Sequence, residues 1–103
     1  MIIVSASGMV TGGRILHHLR AFGPDPKNTL LFVGYQAAGT RGDKLLKGTR
    51  QVRVHGQDVD VRAEVVEIPG LSAHAGYSEL GAWLGESGCR PSRVFITHGE
   101  TGA

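Results

Sequence analysis

Apolar positions recur along this chain as short runs and helical stripes, separated by polar segments rich in glycine. Residues 1–4 form an apolar run that reads as a buried strand. Ile15, Leu16, Leu19 and Phe22 fall at spacings of three and four, which predicts a helix over 14–22 ended by Gly23-Pro24. A second buried strand is expected over 29–33, and a helical turn over 43–47 that Gly48 stops. Residues 51–54 and 59–61 alternate apolar with polar and are joined by His55-Gly-Gln-Asp58, the pattern of a hairpin with one wetter face. A strand over 65–68 follows, broken by Pro69-Gly70. Ser72 is then the expected cap of a second helix, with His74 in its first turn and Tyr77, Leu80, Trp83 and Leu84 on its apolar face. A last strand is expected over 94–96.

Strands separated by helices predict an α/β fold. The expected architecture is a mainly parallel sheet with helices on its faces, plus a β-hairpin. The segments that follow strands in such a sheet gather at one edge, where ligands bind. Four segments qualify: 5–13, 34–40, 72–76 and 97–100. Each carries glycine, hydroxyls or histidine.

Composition narrows the classes. With 103 residues, 41% hydrophobic and 19% charged, the chain is one small domain or a piece of a larger protein. A strand that opens at residue 1 with no lead-in points to the piece. A net charge of +2 is compatible with an anionic partner without identifying one. The single cysteine, Cys89, forms no internal disulfide and fits a reducing compartment, so a cytoplasmic setting is expected. No apolar run is long enough to span a bilayer, and no signal peptide is read.

The glycine-rich stretch at 5–13 is neither a P-loop nor a dinucleotide fingerprint, because Gly8, Gly12 and Gly13 have the wrong spacing and no Gly-Lys-Ser follows. His17, His18 and His55 read as surface residues, Cys89 as an unremarkable thiol, and Trp83 as core packing. His74 and His98 differ, because both stand where a strand ends at the expected ligand edge. A serine hydroxyl, amides and an imidazole at 72–76 suit a phosphate oxygen. A complete metal set is not written here: there is no His-x-His, no His-Glu-x-x-His and no cysteine pair. The residues alone give half of a phosphate-binding site, with metal dependence left open.

At these residues the sequence resembles a known family. Ser72-Ala-His74-Ala is similar to motif B, and Thr97-His98-Gly-Glu100 to motif C, of the β-CASP metallo-β-lactamase nucleases. Ser5-Ala-Ser-Gly8-Met and Gly34-Tyr-Gln with Gly39-Thr40 extend the resemblance over nearly the whole chain. The family includes ribonuclease J, relatives of the cleavage and polyadenylation specificity factor nuclease, and Artemis. A histidine in motif C is associated with its RNA-processing branch, so His98 points to RNA. The resemblance implies that His98 is a zinc ligand. It implies that His74 lies beside the scissile phosphate as proton donor or transition-state stabiliser, and that Ser72 hydrogen-bonds a phosphate oxygen. Ser7 and Gly8 would lie in a loop facing the RNA backbone. Two zinc ions would hold the phosphate and activate a water.

The family's His-x-His-x-Asp-His motif is absent, and Gly76 stands where many members carry aspartate. Residues 1–103 are therefore expected to be the C-terminal part of such an enzyme: the end of the β-CASP region plus the returning piece of the metallo-β-lactamase domain. The missing N-terminal half would be its partner, and self-association through the surface that half covers is also expected. A free-standing RNA- or phosphate-binding module without catalysis is the alternative, and a nonfunctional fragment that still folds is the third.

Overall fold

The computed structural model describes residues 1–71, 74–95 and 97. It divides into two compact units, Met1–Ala73 and His74–Ala103.

In the first unit the order is α1 (Arg14–Phe22), β1 (Thr29–Val33), α2 (Arg41–Leu46), β2 (Gln51–Val54), β3 (Gln57–Asp60) and β4 (Glu64–Ile68). β1 and β4 pair in parallel, with Thr29 opposite Glu64 and Val33 opposite Ile68. β2 and β3 form a separate antiparallel pair. Among the described residues the expected continuous sheet is thus one parallel pair beside a hairpin.

The core joins both parts. Leu16 and Leu19 of α1, Phe32 of β1, Leu45 of α2, Val52, Val54 and Val59 of the hairpin, and Val10, Val61 and Ala63 are buried together. β1 shows the period of a half-buried strand: Phe32 faces this core, while Leu31 and Val33 on the opposite face are about half exposed. The expected buried strand is thus buried mainly on one face. Helix α1 ends where expected. Gly23 donates its N–H to Leu19 O at 2.8 Å and accepts from Arg62 N and Ala63 N at 2.9 Å each. A Cβ there would stand 2.4 Å from Leu19 O, so this corner requires glycine.

The hairpin is tighter than the pattern indicated. β3 begins at Gln57, leaving His55 and Gly56 as a two-residue turn with φ of 49° and 79°. Positive φ at both positions gives a turn whose twist matches that of the flanking strands. The exposed rings of His17 and His55 meet with centroids 4.8 Å apart. α2 is a full short helix. The Thr40 hydroxyl accepts from Asp43 N at 3.2 Å, and the Asp43 carboxylate accepts from Gly39 N at 2.9 Å.

Residues 1–4 form no strand and are exposed, Met1 and Val4 almost completely. An apolar run becomes a strand only by joining a ladder, and β1 pairs with β4 alone among the described residues.

In the second unit α3 spans Tyr77–Glu86. Its start differs from the expected one. The cap is Gly76, whose N–H donates to the Glu79 carboxylate at 2.7 Å, so His74 precedes the helix instead of lying in its first turn. A carboxylate three residues inside the helix fixes the start there. Ser72 lies outside the described residues. α3 buries none of its residues, and Trp83, expected in a core, is 71% exposed. Val94 and Phe95 are exposed and not in a strand, and Ile96 lies outside the described residues. No helix among the described residues is long and apolar enough to cross a membrane.

Candidate functional site

Two of the four expected ligand segments come together. The loop 5–13 is closed by Val10 N donating to Ser7 O at 2.8 Å, and it is attached to α2 by Gly42 N donating to Met9 O at 3.1 Å. Arg41 secures it further. Its Nη1 donates to Val10 O at 3.1 Å and Thr11 O at 3.3 Å, while its Nε donates to Arg53 O at 2.7 Å on β2. One guanidinium thereby holds the glycine-rich loop and the hairpin to α2. Hydrogen bonds from a charged donor are stronger than neutral ones.

Ser7 is half-buried and inwardly engaged: its hydroxyl meets Thr11 Oγ1 at 3.1 Å and accepts from Gly12 N at 3.2 Å. Gly8 is exposed, with open space where a Cβ would stand. Val10, a buried β-branched residue, has φ of 57°. That region costs such a residue about 1–3 kcal/mol, and the hydrogen bonds around the loop hold it there. Gly42 packs where a Cβ would lie 1.8 Å from Gln36 Oε1, which fits the Gly34-Tyr-Gln stretch beneath α2.

His74 is exposed, in the segment leading into α3. His98, Gly99 and Glu100 lie outside the described residues, and Thr97 is exposed. Among the described residues no three His, Cys, Asp or Glu side chains converge to hold a metal ion. A zinc site needs at least three such ligands, so the described part of the chain does not fit zinc by itself.

What the sequence pattern left unremarked is a basic cleft of about 620 Å³ between α2 and β2, with Arg41, Lys44 and Arg53 in its lining. The signal was present: Arg41 and Lys44 stand one helical turn apart, and Arg53 alternates with the buried Val52 and Val54. Asp43, next to Lys44, is committed elsewhere. Its hydrogen bond with the Lys47 ammonium, 2.7 Å away, and then that from Gly39 N hold its carboxyl below the usual 3.8. A depressed folded pKa stabilises the fold above the unfolded value, and that contribution disappears as pH falls through the folded one. Asp43→Asn should therefore melt below the wild-type chain at neutral pH, with the two melting curves converging in acid. An equal gap at pH 2 and pH 7, by thermal circular dichroism, would show that the carboxylate charge is irrelevant.

The parallel strand pair, the helices of the same unit and the hairpin define an α/β protein. Residues 1–45 match the family described as the Beta-Casp domain, and residues 58–103 match the Zn-dependent metallo-hydrolase RNA specificity domain. The chain belongs to the β-CASP metallo-β-lactamase family. It is 46% identical over 101 residues to a ribonuclease of Thermus thermophilus, covering 97% of this chain and 22% of that protein. It is 38% identical over 104 residues to the transcription termination factor FttA of Thermococcus kodakarensis, covering 96% and 16%. An RNase J-like protein of Methanocaldococcus jannaschii is 39% identical over 99 residues, covering 96% and 23%. The chain thus spans roughly a fifth of the length of these relatives.

Proposed function

We propose that this chain is the C-terminal, RNA-facing part of a zinc-dependent nuclease that hydrolyses RNA phosphodiester bonds. The observation that carries the reading is the ordered pair of family matches over 1–45 and 58–103, with Ser-Ala-His74-Ala and Thr-His98-Gly-Glu inside the second. The names of the relatives, a ribonuclease and an RNase J-like protein among them, support RNA as substrate. In this reading His74 stands beside the scissile phosphate and protonates the departing oxygen, a task suited to an imidazole. Its exposure ahead of α3 leaves it accessible to a substrate. Ser72 donates a hydrogen bond to a phosphate oxygen. Ser7 and Gly8 shape the loop that faces the backbone, Ser7 through the contacts of its hydroxyl within the loop. His98 joins zinc ligands carried by the N-terminal half, which is also the partner of residues 1–103. The setting is cytoplasmic, where the exposed thiol of Cys89 stays reduced.

The lack of a three-ligand cluster among the described residues favours a second reading, an RNA-binding module without chemistry. One experiment separates the outcomes. The purified 103-residue chain is expected to bind single-stranded RNA, to carry far less than one zinc per chain, and to leave the RNA uncut. Zinc-dependent cleavage by the isolated chain would refute its dependence on a second half. Failure to bind RNA would remove the RNA-facing role. If the chain cleaves RNA once combined with a segment carrying the His-x-His-x-Asp-His motif, the module reading falls.

A further inference from the structure

We propose that the cleft between α2 and β2 is a phosphate-binding site, separate from the histidine motifs. Its lining includes the cations Arg41, Lys44 and Arg53, the hydroxyl residues Thr11 and Thr40, and the Gln51 amide, with no aspartate or glutamate. Its volume of about 620 Å³ lies in the range of small-ligand clefts.

The charge of each cation is available. Arg41 is fixed by carbonyl oxygens of Val10, Thr11 and Arg53, which orient the guanidinium without cancelling its charge. Lys44 enters no ion pair among the described residues, because the neighbouring Asp43 is bound to Lys47. Arg53 reaches Asp58 only at 3.6 Å, with both side chains more than half exposed, a pair of little strength. Arg41 is thus held in place, while Lys44 and Arg53 are exposed and free to adjust. Phosphate is the anion suited to the Arg53 guanidinium fork and the Lys44 ammonium, with the fixed charge of Arg41 and hydroxyl and amide donors in the same lining. The anion chemistry stands on the cleft itself, and its assignment to the RNA backbone rests on the function proposed above.

The test compares Lys44→Gln/Arg53→Gln with a control, Arg20→Gln/Lys27→Gln, which removes the same charge outside the cleft lining. Binding of a labelled single-stranded RNA is measured by fluorescence anisotropy between about 50 and 200 mM salt. The cleft variant is expected to lose about tenfold in affinity at the low salt. Its dependence of log K on log salt should flatten by roughly 1.4, about 0.7 for each of two phosphate contacts. The control is expected to lose less than threefold and to keep its slope. Inorganic phosphate and adenosine monophosphate, titrated into the isotope-labelled wild-type chain, are expected to shift the amides of Thr40, Arg41, Lys44 and Arg53.

RNA binding that weakens equally in both variants would overturn the cleft and leave the RNA reading intact. Phosphate or mononucleotide shifts at these amides without RNA binding would establish the cleft and refute RNA as its ligand. No shift at these amides with either small probe would also overturn the proposal, whatever the folding of the variants.

Discussion

Replacing Leu45 with alanine is expected to lower the unfolding free energy of the chain by about 3 kcal/mol, within the range of about 2–5 measured for such truncations in cores. Leu45 is 1% exposed, and α2 has no other large side chain so deeply buried. It brings α2 into the core shared by Phe32 and the hairpin valines. The truncation loses the transfer free energy of the removed groups and leaves a cavity that neighbours from several elements cannot all fill. A small domain has only about 5–15 kcal/mol of stability, so the loss is a large fraction of the total. Leu46→Ala is the internal control. It makes the same chemical change in the same helix, but its side chain is only partly buried. Urea denaturation of both variants gives the comparison. Equal losses would mean that α2 is not docked through Leu45. Because α2 carries Arg41 and Lys44, phosphate binding should fall with stability in Leu45→Ala.

The second large effect concerns His74. In a protein where this chain is joined to its metal-binding half, His74→Ala is expected to reduce kcat by about 10²–10⁴-fold, the contribution of a positioned general acid. RNA affinity should change by less than about threefold. A proton donor matters only for a leaving group that needs the proton, so an RNA with sulfur in place of the departing oxygen at the scissile bond should be cut by the variant at close to the wild-type rate. Single-turnover cleavage of the oxygen and sulfur substrates, beside a binding titration, reads both quantities. If affinity and rate fall together and the sulfur substrate brings no recovery, His74 holds substrate and does not donate the proton.

The stripe of Ile15, Leu16, Leu19 and Phe22 predicts α1, and Gly23 caps its end. β1 was legible because Thr29, Phe32 and Val33 favour strands and the short apolar run stands between polar or glycine breaks. Less visible were features decided by hydrogen bonds at a distance along the chain. Ser72 is a good cap by residue type, yet Glu79 placed the start of α3 at Gly76. A competition between two plausible caps is settled by geometry that local preference does not contain. The run at 1–4 shows the same limit, since apolarity does not specify a ladder partner. The candidate site was legible as residue types in order, and its two histidine motifs lie within residues 58–103. The basic cleft was not, because its cations come from two elements brought together by the Arg41 contacts to loop and hairpin.

The parallel pairing of β1 with β4 also sets a cost in chain freedom. Thr29 and Glu64 are 35 positions apart, and closing a flexible loop of that length costs on the order of 3 kcal/mol by the logarithmic rule. The hairpin lies inside this loop and is itself closed by just two residues, His55 and Gly56. Once formed, it brings Gln51 opposite Asp60 and takes about nine of those 35 positions out of the effective length. By the same rule that shortening lowers the closure cost by only about 0.2 kcal/mol. The turn therefore gives slight support to a pair of strands outside its own ladder, and that part of its effect comes from the entropy of the unpaired chain.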